Sequence, residues 1–210
     1  MLTGPKEHGG GGGWKRGAVL AAVWLGFAAQ GAFGFDTVVI DAGHGGQDRG
    51  GIPGQRVPEK VMTLDTAWRL QRLLEAAGFR TVMTREGDYF VSLPQRVAIA
   101  NAQRNAIFIS IHYNATARPA AEGYETYYYT RRSAKLAAAC YSRIVQAWPG
   151  IRRGIRTRGF FVIRRTVIPS ILVEPGFLTN PYDAAMISRP EVRERIAELL
   201  AAAIISKRRM

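Results

Sequence analysis

Apolar and polar positions follow two rhythms along this chain, and each change of rhythm marks an element. Thr37–Ile40, Ala106–Ile111 and Ser170–Val173 are short, nearly unbroken apolar runs rich in β-branched residues. Such runs predict strands covered on both faces, as in a parallel sheet. Arg80–Met83 and Phe160–Ile163 read as further strands, and Tyr124–Thr130 as a more exposed one. Between the strands the apolar residues recur at helical spacing. Pro58 opens a helix whose stripe is Val61, Leu64, Trp68, Leu70 and Leu74, closed by Gly78. Ser92 and Gln95 have capping-box spacing for a helix reaching about Arg104. Ser133–Trp148 and Pro190–Ser206 complete the set, the last burying Val192, Ile196, Leu199, Leu200 and Ala203. Strands alternating with helices predict a single α/β domain, with about six mostly parallel strands and helices on both faces.

Residues 1–35 break this pattern. A glycine run (Gly9–Gly13) and a basic pair (Lys15, Arg16) precede an uncharged apolar stretch from Gly17 to Ala29, then small residues up to Gly34. That is the order of a secretory leader, and the stretch is short for a membrane span of about 20 residues. The expectation is an exported protein, periplasmic or wall-associated, with cleavage in 29–35; an uncleaved leader would anchor it. The folded domain is then 36–210.

Composition narrows the classes. With 47% apolar and 21% charged residues in 210, the body is globular rather than disordered or fibrous. The one cysteine, Cys140, excludes an intramolecular disulfide framework and any paired-cysteine metal or redox site; its apolar helical setting makes it a core residue. The net charge is +13, of which residues 1–35 contribute only two, so the body keeps +11 and is drawn to polyanions. Arg152, Arg153, Arg156, Arg158, Arg164 and Arg165 surround Phe160 and Phe161. Export argues against nucleic acid and for peptide carboxylates, an anionic wall polymer or simply a solvated face.

The chemistry gathers at strand ends. His44 follows the first apolar run by four residues and His112 directly follows Ile111; His8 lies in the leader. If both strands are parallel, both imidazoles reach the carboxyl edge of the sheet, where α/β folds bind ligands. Glu174 directly follows Val173, and Glu59 opens the helix after a glycine-rich loop that can fold back towards His44. An acid ending an apolar run needs a partner or a cation. Two histidines and one glutamate form a catalytic zinc set that leaves a position for water, and a second glutamate supplies the general base. No HExxH is present, so the site is not of the helical thermolysin type. Nor does Gly43-His-Gly-Gly46 match a phosphate loop, since neither GxGxxG nor a following Lys-Ser/Thr is there. Asp41 either orients His44 by a hydrogen bond or forms an Asx turn.

Three motifs in order carry a resemblance: Asp41-Ala-Gly-His-Gly-Gly46 with Glu59-Lys60, Ser110-Ile-His-Tyr-Asn114, and Val173-Glu-Pro-Gly-Phe-Leu-Thr-Asn180. Together they resemble the zinc-dependent N-acetylmuramoyl-L-alanine amidases over about residues 36–206. Thr84-Arg85, Arg96 with Asn101, and Gly123–Tyr127 fit the same pattern. The resemblance implies a six-stranded sheet, one zinc ion held by His44, Glu59 and His112, and Glu174 as catalytic acid/base. It implies peptidoglycan as substrate, cut between the lactyl group of N-acetylmuramic acid and L-alanine. Arg85, Asn114 and Glu125 become candidate substrate contacts. Some members carry an occluding helix after the second motif, but ten residues between Asn114 and Glu125 leave no room for one. A monomeric minimal catalytic domain needing no activator is therefore expected. Two alternatives are a zinc carboxypeptidase-like peptidase, which uses the same ligand types, and a non-catalytic wall-binding module.

Overall fold

The computed structural model describes residues 34–52, 55–147 and 150–209; the leader expected from the sequence falls almost wholly outside them. Three strands make the centre of the sheet: β1 (Thr37–Ala42), β3 (Ala106–Ile111) and β6 (Ser170–Glu174). β2 (Arg80–Met83) flanks β1, and β4 (Tyr124–Tyr128) and β5 (Arg152–Thr157) lie beyond β6, giving the order β2-β1-β3-β6-β4-β5. Every neighbouring pair is parallel except β4 with β6. The expected mostly parallel α/β sheet is thus observed.

The central strands are mostly apolar because alternate residues feed two cores. Val38, Ile40, Ile107, Ile109, Ile111, Ile171 and Val173 point into the larger core. There they meet α1 (Glu59–Ala76), α3 (Ala134–Ala147) and α6 (Pro190–Ile205), through Leu70, Leu74, Leu136, Cys140, Ile196 and Leu200. Val39, Phe108 and Leu172 point the other way, against α2 (Leu93–Asn101) and α4 (Phe161–Arg165). Each such side chain contributes about 1.5–3 kcal/mol when fully buried, so an unpartnered polar residue in place of Phe108 or Ile109 would disrupt a core. Ser92 caps α2 with the expected reciprocal bonds to Gln95.

Four expectations are corrected. Val61 and Trp68 are about half exposed; the buried stripe of α1 runs through Thr63, Leu64, Ala67, Leu70 and Leu74 instead. β4 is buried rather than exposed, because β5 covers its outer edge. Phe160–Ile163 is not a strand: Phe161–Arg165 forms the short helix α4, whose Val162 and Ile163 close the smaller core. The sixth strand is the arginine-rich β5, an edge strand whose polar side chains suit its exposure. A short helix α5 (Pro181–Ile187), capped by Asn180, was not foreseen. Among the described residues no helix is long and apolar enough to cross a membrane.

Candidate metal centre

Register brings the site together. Ala42 of β1 pairs with Ile111 of β3, and Ile111 with Val173 of β6, so the three strands end at one level. His112 and Glu174 therefore stand side by side at the carboxyl edge, with the backbone N–H of His112 donating to Val173 O (3.0 Å). The loop after β1 carries His44 to the same place, and α1 starts there with Glu59 in its first turn.

His44 Nε2 lies 3.1 Å from Glu59 Oε2, and His112 Nδ1 lies 3.0 Å from Glu59 Oε1. One donor atom from each residue falls within 4.8 Å of the others. The three donors are close enough to hold a single metal ion. Burial pushes the Glu59 carboxyl up, but bonds from His112 and His44 outweigh it and leave it at about 2, ionised as a ligand must be. Glycine makes the convergence possible. A Cβ on Gly43 would fall 2.4 Å from His112 Cε1, and one on Gly50, at φ +69°, 2.6 Å from His44 Cδ2.

His44 itself has φ +62°, a left-handed conformation that costs a non-glycine residue about 1–3 kcal/mol. Two buried guanidinium groups hold it there. Arg96 donates to His44 O (2.6 Å), Ala42 O (2.6 Å) and the Asp41 carboxylate (2.7 Å). Arg85 donates to the carbonyls of Ala42, Gly43, Lys60 and Gly87. Arg85 is 1% exposed, so it is corrected from a substrate contact to a strut beneath the metal loop. Asp41 is also corrected. Its carboxylate, wholly buried, accepts from Arg96, Ser110 and Thr84 and not from His44. Burial raises its pKa, but the charge of Arg96 and these bonds bring it below the usual carboxylate range. The residue that orients His44 is Asp48, whose Oδ2 meets His44 Nδ1 at 2.8 Å and leaves Nε2 facing Glu59. Its four-residue offset from His44 within the glycine-rich turn was the available clue.

Glu174 has the opposite environment from Glu59. Its Oε2 is buried with no hydrogen-bond partner. Burial, then the charges of Glu59 and Glu125, push its pKa up to about 8. Such a carboxyl holds or releases a proton near neutral pH. Glu125, opposite it in β4, is 3% exposed, and its oxygens meet Arg153 Nε (2.6 Å), Asn114 Nδ2 (3.2 Å) and the Tyr127 hydroxyl. Glu125 is thus tied to these groups in the wall of a cleft that Asn114, half-buried, also lines. Residues 112–123 contain no helix, so nothing of that kind covers the site from there.

Residues 38–206 match the family described as N-acetylmuramoyl-L-alanine amidase, Amidase_3. The chain belongs to this amidase family. It is 36% identical to the N-acetylmuramoyl-L-alanine amidase LytC of Bacillus subtilis over 169 residues, 79% of this chain but only 34% of LytC. It thus spans about a third of that relative. Among solved structures, the catalytic domain of CwlV from Bacillus (Paenibacillus) polymyxa var. colistinus superposes with TM-score 0.78 at 34% identity. That match covers 82% of this chain and 97% of the domain. AmiC2 of Nostoc punctiforme gives TM-score 0.75 at 39% identity, over 81% and 95%. Family membership favours the amidase reading over a carboxypeptidase-like peptidase or a binding module.

Proposed function

We propose that this amidase hydrolyses the bond between the lactyl carbonyl of N-acetylmuramic acid and L-alanine in peptidoglycan, using zinc held by His44, Glu59 and His112. The observation that carries it is the pairing of a clustered His-Glu-His donor set with Glu174, whose Oε2 is buried without a partner, at the end of the adjoining strand. Zinc bound there would polarise the scissile carbonyl and acidify a water in its open position. In its ionised form Glu174 takes a proton from the water that attacks the carbonyl. It then hands the proton to the leaving L-alanine nitrogen, which departs poorly without one. Its raised pKa suits both transfers. Asn114, which donates to Glu125 opposite Glu174, borders the same space. Export by the N-terminal leader, a monomeric state and activity without an activator belong to the same reading, and the +11 body would aid retention on an anionic wall.

The test is digestion of purified peptidoglycan with product identification by mass spectrometry. Release of whole stem peptides with a free L-alanine amine is expected, abolished by chelation and restored by zinc. His44→Ala and His112→Ala should lose zinc and turnover together. Trimmed stems, or full activity after exhaustive metal removal, would overturn the proposal.

A further inference from the structure

A cleft of about 280 Å³ opens beside Glu174, and its charge is unbalanced. Asn114, Phe177, Arg118, Arg153, Arg156 and Arg158 line it. Four guanidinium groups face one buried carboxylate, Glu125. Arg153 is bonded to it at 2.6 Å and Arg156 Nε lies 3.7 Å away. Among the described residues, Arg118 and Arg158 make no ion pair. Strict alternation along β5 would turn Arg153 away from Arg156. Instead Tyr124 pairs with Arg152 and Glu125 with Gly154, so Arg153 is an extra residue at that step. Such a bulge re-aims a side chain, and here it sets Arg153 in the cleft beside Arg156 of β5, with Arg158 just past the end of the strand.

From this we infer that Arg156 of β5 and Arg158 just beyond its end form a subsite for a carboxylate on the peptide side of the substrate, one residue beyond the L-alanine whose bond is cut. The inference rests on the amidase reading above. Glu174 protonates the leaving amine, so the peptide leaves the reaction centre on the Glu174 side. The metal-binding residues follow β1 and β3, Glu174 ends β6, and the arginines lie on β5 and just beyond its end, in that order across the sheet. β5 stands two strand spacings from β6, about 10 Å. An extended dipeptide reaches about 7 Å, and an arginine side chain spans the remainder. Arginine's planar fork matches a carboxylate with two parallel bonds. Arg156 and Arg158 are exposed; Arg156 meets Glu125 only at 3.7 Å and donates to Arg153 O (3.2 Å), a looser hold than the 2.6 Å bond that fixes Arg153 to Glu125.

The test compares two muramoyl tripeptides, N-acetylmuramoyl-L-alanyl-γ-D-glutamyl-L-lysine with its glutamyl α-carboxylate free or amidated. Wild type should favour the free acid. The double variant Arg156→Gln/Arg158→Gln should lose about 10–100-fold in kcat/KM on the acid, mainly through KM, and less than about threefold on the amide. Equal turnover of both compounds by wild type, or an equal loss on both in the variant, would overturn the subsite. Calorimetry with the released peptide, L-alanyl-γ-D-glutamyl-L-lysine, is independent of cleavage. Binding by wild type and not by the variant supports the subsite even if neither tripeptide is cut, a result that would sink the amidase reading alone. Salt-sensitive retention on a polyphosphate, lost in the variant with no preference between tripeptides, would make the arginines a polymer-binding surface instead.

Discussion

Replacing Arg96 by methionine removes the cation beneath the metal loop and leaves Asp41 ionised in a place water does not reach. Arg96 is 3% exposed, Asp41 is fully buried, and their charges lie 2.7 Å apart. Ser110 and Thr84 would still donate to the carboxylate, but neither carries charge. Breaking one side of a buried pair costs about 3–5 kcal/mol, a large part of the roughly 5–15 kcal/mol that holds a domain together. In a chain of this length that is a fall of about 6–20 °C in Tm. Urea titration with chelator present, so that metal binding does not contribute, measures the loss. The sign with pH follows from Asp41. Its native pKa lies below its unfolded value, so its contribution is complete above pH 4 and is lost as pH falls through the native value. The gap between wild type and Arg96→Met should therefore be widest near pH 7 and narrow towards pH 3. Arg96→Met combined with Asp41→Asn should recover part of the loss, since no charge is then left unpaired. A loss below about 1 kcal/mol, or a gap that does not change with pH, would refute the electrostatic account.

Glu174→Gln should keep zinc, shown by metal analysis, while turnover falls about 10²–10⁴-fold. Because the native pKa of Glu174 is raised to about 8, its burial costs stability increasingly from pH 4.5 up to about 8. The metal-free Gln variant should then be roughly 1–3 kcal/mol more stable than wild type at neutral pH and indistinguishable near pH 4; a less stable variant would mark Glu174 as structural. Asp48→Asn weakens the partner of His44 Nδ1 and should reduce zinc affinity about 10–100-fold, with little change in the melting of the metal-free protein; unchanged affinity in a competition titration would remove Asp48 from the site.

Much of the centre was legible in the chain itself, because its chemistry is attached to the most strongly patterned elements. β1, β3 and β6 are buried on both faces, so most of their residues are apolar and the polar ones, such as Asp41 and Ser110, need buried partners; a histidine or glutamate at the end of such a run stands out. The same holds for the Ser92–Gln95 cap and for Pro58 and Pro190 at helix starts, where a local backbone requirement chooses the residue. What the sequence determined by itself is therefore the α/β class, the central strands, and the four residues His44, Glu59, His112 and Glu174.

Tertiary structure decided what depends on partners distant along the chain. β5 carries no alternating apolar pattern, since an edge strand with solvent on one side needs none, and it is ordered by backbone bonds to β4. Phe160–Ile163 has the composition of a strand, yet the helix α4 buries only Val162 and Ile163 in the smaller core and leaves Phe160 41% exposed. Asp41 and Asp48 flank His44 at similar distances in sequence. Only the left-handed turn at His44 and the position of Arg96 assign one to the core and the other to the imidazole. Arg85 could have faced substrate until the carbonyls of Ala42, Gly43, Lys60 and Gly87 were seen to take its donors. Pattern reports which faces are covered; which particular groups meet is set by register and loop geometry, and these are long-range.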